Sequence, residues 1–273
     1  MAWSYLHWLV AISLGFVLLE RLFPWRRGQA LVRPGFVRDL GFLAWNGHFF
    51  SLLTAGVNGW LAAQATGLLQ GAGLRLGVSP VPGWPFWAQV VVFLVAADFL
   101  QWCVHNLLHR VPALWTFHKV HHAITTMDFI GNFRFHWMEI VVYKAALWLP
   151  LALLGASGEA AFVVALVSTV WGDLNHANLN LGLGPLGFVL NSPRMHLWHH
   201  DQSDEGGAAK NYGIVLSLWD FLFGTAYWPK DRSPKALGYP GMGEMPQGLL
   251  GELAWPLSGF WPKSRRFIWL RRP

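Results

Sequence analysis

Residues 98–122 read DFLQWCVHNLLHRVPALWTFHKVHH, an apolar helix that runs into five histidines. His105 and His109 are spaced HxxxH, and His118, His121 and His122 are spaced HxxHH, with Pro112 breaking the chain between them. Positions three and four apart share a helix face, so each cluster presents its rings as a convergent group. A third cluster, His196, His199 and His200, repeats the HxxHH spacing directly after Pro193, where a helix start is expected. Neutral imidazole is the commonest nitrogen donor to a transition metal. Eight imidazoles at these spacings exceed what one ion needs, and point to two.

The surrounding composition is that of a membrane protein. Of 273 residues, 54% are hydrophobic and 12% charged, where soluble domains carry about 25% charge. Eighteen Trp and nineteen Phe suit the membrane interface. The net charge of +6 accompanies no groove-reading motif, which argues against a nucleic-acid partner. A single cysteine, Cys103, excludes an intrachain disulfide and a CxxC metal knuckle. The first apolar run lacks a basic leader and a cleavage motif, and reads as a retained membrane helix.

The expected fold is an all-α integral membrane protein with a cytoplasmic helical cap. Five apolar runs approach the length of a span, roughly 3–23, 40–63, 86–108, 138–156 and 159–178. Basic residues alternate across them. Five (Arg21, Arg26, Arg27, Arg33 and Arg38) follow the first run, and one, Arg75, follows the second. Three (Arg110, Lys119 and Arg134) follow the third, none the fourth, and ten lie from Arg194 to the end. The positive-inside rule then puts the C-terminus and every histidine cluster on the cytoplasmic side. No internal repeat or second domain is visible. The chain reads as one membrane-embedded domain, 1–273, with an N-terminal region 1–84, a core 85–228 and a Pro/Gly-rich tail 229–273.

Two further histidines are candidate ligands. His176 lies among Asp173, Asn175, Asn178 and Asn180 at the end of the fifth run, and His136 lies in RFHWME, residues 134–139. His7 and His48 have no partner at ligand spacing and are read as non-ligands. Asp98, seven residues before His105 on the same face, is expected to accept the second ring N–H of a ligand histidine. Asp173, Asn178 and Glu139 are candidates for the same supporting role. Trp115, Phe117, Phe133, Phe135 and Trp198 stand beside the ligands and are candidate pocket walls.

An HExxH motif is missing, so a zinc peptidase would lack its general base. A zinc-dependent membrane hydrolase, and a metal- or haem-binding electron-transfer or transport protein, stay open as alternatives. Bis-histidine haem would leave most of these rings unused, and transport calls for polar groups through the membrane rather than at one face.

The combined pattern resembles the fatty acid hydroxylase/sterol desaturase superfamily of membrane di-iron enzymes. The residues that carry it are His105-Asn-Leu-Leu-His109, His118-Lys-Val-His121-His122 and His196-Leu-Trp-His199-His200. Arg134-Phe-His136-Trp-Met-Glu139, Asn175-His176-Ala-Asn178 and Asn211-Tyr-Gly through Leu218-Trp-Asp-Phe-Leu-Phe-Gly224-Thr225 are similar to its accessory segments. Trp137 departs from the family's usual proline. The resemblance implies two non-haem iron ions that activate O2 and oxidise a lipid C–H bond, by hydroxylation or desaturation. It implies a separate ferredoxin- or cytochrome b5-like electron donor on the cytoplasmic face of an inner, plasma or ER-type membrane.

Overall fold

The computed structural model describes residues 4–72, 81–153, 155, 157–203 and 210–255. The described residues are helical, with three isolated β-bridges and no strands. Helix α1, Tyr5–Leu22, starts at Ser4, whose hydroxyl lies 2.6 Å from His7 Nδ1, and stops before Pro24. Its buried Glu20 accepts the backbone N–H groups of Phe129 (2.9 Å) and Asn178 (2.8 Å). One carboxylate thereby ties the N-terminal helix to two segments that flank the histidines.

Helix α2, Phe36–Ala44, continues through a π-turn at Trp45–Phe49 into α3, Phe50–Gly71. A π-turn widens the helix and re-aims its side chains, a feature frequent at functional sites. Here it buries Asn46, whose Nδ2 donates to the carbonyls of Phe133 and Phe135, both at 2.8 Å. The following elements are α4, Phe86–Arg110; α5, Pro112–His122; α6, Trp137–Leu153; and α7, Gly158–His176. Pro112 ends α4 and serves as the first residue of α5, where its missing N–H costs nothing. The short α8, Pro193–His199, starts the same way, with Ser192 Oγ accepting from the Met195 N–H at 3.3 Å. Helices α9, Leu218–Leu222, and α10, Leu249–Ala254, complete the set.

The expectation of five spans is not supported. Two described helices, α1 and α4, are long and apolar enough to cross a membrane. The run at 40–63 is interrupted by the π-turn, and Asn58, Gln64 and Gln70 lower the hydropathy of α3. Helix α6 has 17 residues, and α7 carries Glu159, Asp173, Asn175 and His176 within 19. The bundle still presents a lipid-like surface: Leu14, Leu18, Trp60 and Trp87 are all more than half exposed.

The expected tail is also revised. Leu237, Tyr239, Met245, Glu252 and Trp255 are buried, and Tyr239, Met245 and Trp255 pack with Leu9, Phe42, Trp115 and Val120. Residues 237–255 thus contribute side chains to the core, although their pattern shows little periodicity. Buried ion pairs clamp this segment down. Arg134 bonds Asp39 and Glu252 (2.8 Å to the latter), Arg38 reaches Glu252 at 2.9 Å, and Arg33 pairs with Asp39 and Asp128. The loop containing Gly206-Gly207 and the chain beyond residue 255 lie outside the described residues.

Candidate metal centre

Nine histidines converge, and they sort into two groups. His105, His109, His118, His122 and His199 form one; His121, His176, His196 and His200 form the other. Within each group, one ring nitrogen per residue lies within 4.8 Å of all the others. The HxxHH motifs are therefore split rather than convergent. The i, i+4 pair of the second cluster, His118/His122, joins the first group while His121 joins the second. The third cluster does the reverse: His196/His200 join the second group and His199 the first. Residues i and i+4 stack along a helix face, while i+3 is rotated away from them. One turn of helix therefore serves two adjoining sites. The sites share a wall, with His122 and His200 ring centroids 4.5 Å apart.

Four of these rings are oriented through Nδ1. His105 donates to the Tyr212 carbonyl (2.8 Å), His176 to that of Gly172 (2.8 Å) and His199 to that of Lys210 (2.7 Å), while His118 Nδ1 meets Glu139 Oε1 at 2.8 Å. A carbonyl can only accept, so each of the first three rings keeps its proton on Nδ1 and turns an Nε2 lone pair inward. Nε2 of His118 lies 3.2 Å from that of His105 and 3.0 Å from that of His109. In the second group, His176 Nε2 lies 3.3 Å from His121 Nε2 and 3.3 Å from His196 Nε2, and His196 and His200 are 3.2 Å apart. Two nitrogens at right angles on one metal, each bound at about 2.1 Å, are separated by about 3.0 Å.

The donor set fits metal on a second count. His199 Nε2 and both nitrogens of His122 are buried without a hydrogen-bond partner among the described residues. A buried lone pair without a donor is costly, and a cation satisfies it. Burial also pushes the pKa of His118, His121, His122, His196, His199 and His200 well below the usual 6.5, which keeps them neutral. Neutral imidazole is the ligating form.

Other predicted residues fall elsewhere. His136 lies outside both groups: its Nε2 donates to the Leu253 carbonyl (2.8 Å) and its Nδ1 accepts the Met138 N–H (3.1 Å). Asp98 supports no ligand histidine. It accepts the N–H groups of Val215 (2.8 Å) and Leu216 (3.0 Å) and the indole of Trp219 (2.9 Å), so it anchors the closing segment instead. Asn178 is bonded to the backbone of Arg26, and Asp173 accepts from Asn132 at 2.8 Å. Of the four acidic and amide candidates, Glu139 is the one that touches a clustered histidine.

A cavity of about 680 Å³ opens from the histidines into the bundle, walled by α3, α4, α6 and α7 and floored by His105, His118, His121 and His176. Phe133 and Phe135 line it, and Phe135 stacks on His121 with centroids 4.7 Å apart. Trp115 packs behind His109 and His122 instead, Trp198 packs on Tyr227, and Phe117 lies against His136. Asp220 lies within the segment Leu218–Thr225 that resembles the family's closing motif, but no ligand spacing singles it out. The carboxylate of Asp220 accepts from Tyr212 N, Gly213 N, Trp102 Nε1 and Thr225 Oγ1, and so fixes the loop whose Tyr212 carbonyl orients His105.

Residues 90–225, which hold all nine clustered histidines, match the Fatty acid hydroxylase family. The chain belongs to that family. It is 35% identical over 190 residues to an ornithine lipid hydroxylase of Rhizobium tropici, covering 70% of this chain and 56% of that protein. It is 30% identical over 162 residues to an alkylglycerol monooxygenase of Danio rerio, covering 58% of this chain and 34% of the relative. A very-long-chain aldehyde decarbonylase of Oryza sativa is 28% identical over 158 residues, or 53% of this chain and 24% of the relative. The chain therefore spans about half the length of the first relative and a third or less of the others. No solved structure matches.

Proposed function

We propose that this protein is a membrane-bound di-iron oxygenase that hydroxylates a lipid. The observation that carries the reading is the division of nine buried histidines into adjoining groups of five and four, inside a region matching the Fatty acid hydroxylase family. Similarity to a lipid hydroxylase and an alkylglycerol monooxygenase supports the lipid substrate. His105, His109, His118, His122 and His199 would hold one iron, and His121, His176, His196 and His200 the other. Bound there, the iron pair supplies the activation of O2 for oxidation of an unactivated C–H bond.

The remaining work belongs to the chain. Glu139 and the carbonyls of Tyr212, Gly172 and Lys210 hold the imidazoles in one tautomer and one orientation. Phe133, Phe135, Ile140 and Leu147 line a route for an acyl chain and keep water from the histidine floor. Helices α1 and α4 seat the bundle in the membrane, with the histidine ends toward the cytoplasm. Reducing equivalents come from a separate donor on that side.

Lipid extracts of cells expressing the protein under 18O2 test the reading. One lipid should gain a single 18O atom, and that product should vanish with His199→Ala. A product shifted by loss of two hydrogens, with no 18O, would replace hydroxylation by desaturation. Extracts unchanged in both respects would overturn the reading.

A further inference from the structure

The cavity wall carries a cation, Lys144, with no counter-ion among the described residues. Ile140, Tyr143, Lys144, Leu147 and Trp148 form the cavity-facing stripe of α6, at the spacing of a single helix face. Lys144 is half-buried, and its ammonium lies 6.0 Å from the centroid of the Trp148 ring. No carboxylate pairs with it among the described residues. The nearest acid before it on α6, Glu139, bonds His118 through Oε1 and forms no ion pair with Lys144. A charge drawn among apolar walls loses solvation unless an opposite charge meets it.

A second donor faces the same space. Helix α3 packs on α6, and its Asn58 also lines the cavity, with Nδ2 buried and without an acceptor among the described residues. Apart from Phe162, the α7 wall beside them is made largely of small residues, among them Gly158, Ala161, Ala165 and Ser168, which leave width for a chain. The cavity therefore offers a cation and an unsatisfied amide donor, flanked by apolar surface, with the histidine floor at one end. Lys144 stands five residues beyond Glu139, about 7.5 Å of helix rise.

We infer that the cavity selects amphiphiles bearing an oxyanion, a carboxylate or a phosphate, which Lys144 and Asn58 bind. This rests on the proposed lipid-oxidising role and narrows its substrate class. The oxyanion anchors the lipid partway up the cavity, so the carbon presented to the histidine floor lies a few bonds from the anionic group rather than at the far end of a long tail.

The test is equilibrium binding of radiolabelled palmitate, hexadecyl phosphate and hexadecanol to the full-length protein in a neutral detergent. Both anions should bind at least about tenfold more tightly than the alcohol, the scale of one charge-assisted contact. Lys144→Met should remove that advantage and leave hexadecanol binding unchanged, while Lys144→Arg should restore most of it. Unchanged alcohol binding also shows that the variant is folded. Should Lys144→Met fail to fold, Asn58→Leu is expected to weaken the two anions severalfold and spare the alcohol. Inorganic phosphate at millimolar concentration should not displace palmitate; full displacement would mean a free-anion site and overturn the amphiphile assignment. Equal binding of acid and alcohol, or an acid preference that survives both Lys144→Met and Asn58→Leu, would also overturn it. Because binding is read without turnover, a failure of the oxygenase reading shows separately, as missing 18O product with the acid preference intact.

Discussion

Replacing Glu139 perturbs one histidine group and leaves the other alone. Its Oε1 meets His118 Nδ1 at 2.8 Å, with side-chain exposures of 0% and 1%. His118 in turn presents Nε2 within 3.2 Å of that of His105 and 3.0 Å of that of His109. Glu139→Leu leaves the ring without its orienting acceptor and with a buried polar nitrogen unpaired. Removing such a partner typically weakens metal binding by about 10–100-fold, or about 1.4–2.7 kcal/mol. Glu139→Gln keeps an oxygen at the same reach and loses only the charge, so its loss should sit near tenfold. Nothing in the group of His121, His176, His196 and His200 bonds Glu139. The Leu variant should therefore release one ion to a graded chelator while retaining the other, read as iron per chain against chelator concentration. Wild-type retention of both ions in Glu139→Leu, or simultaneous loss of both, would refute the separation into two sites.

Three other outcomes follow from the packing. Asp220→Ala removes an acceptor shared by four donors and should cost at least about 3 kcal/mol, seen as a fall in Tm of about 6–12 °C; an unchanged Tm contradicts the loop-anchoring role. Arg134→Leu removes one guanidinium from buried Asp39 and Glu252, which keep Arg33 and Arg38 as partners, and should destabilise by about 1.5–3 kcal/mol, measured by denaturation in detergent and refuted by wild-type stability. In the metal-free protein, burial lowers the pKa of His118, His121, His122, His196, His199 and His200 below 6.5. The unfolded chain then binds more protons than the folded one below that pH. Stability should be full above about pH 6.5 and fall as the solution is acidified, so a Tm that rises from pH 7 to 5 would contradict the assignment.

The histidine motifs were legible because ligand spacing is local: HxxxH and HxxHH declare a helix face without reference to the rest of the fold. Their partition was not. Which ring joins which group depends on how α4, α5, α7 and α8 approach one another, and no spacing rule carries that. Asp98 shows the same limit. Its spacing puts it on the helix face of His105, but its carboxylate turns to residues 215–219, more than a hundred positions away. Glu139 travels with a motif, and its Oε1 meets His118 Nδ1. His136 travels with the same motif and is consumed by the Leu253 carbonyl, contributed by a segment whose sequence shows no pattern. The span count failed for a physical reason as well. Helices α3, α6 and α7 carry Asn58, Lys144, Asp173 and His176 toward the cavity or the bundle interior, so length and apolarity alone describe them poorly.

The central claim is a two-metal site, and the direct test is metal content with optical spectra of purified protein. Two non-haem iron ions per chain without a Soret band are expected, falling in His199→Ala and His121→Ala and unchanged in His48→Ala, whose ring lines the cavity outside both groups. One zinc ion, a haem spectrum, or loss of iron on replacing His48 would contradict it.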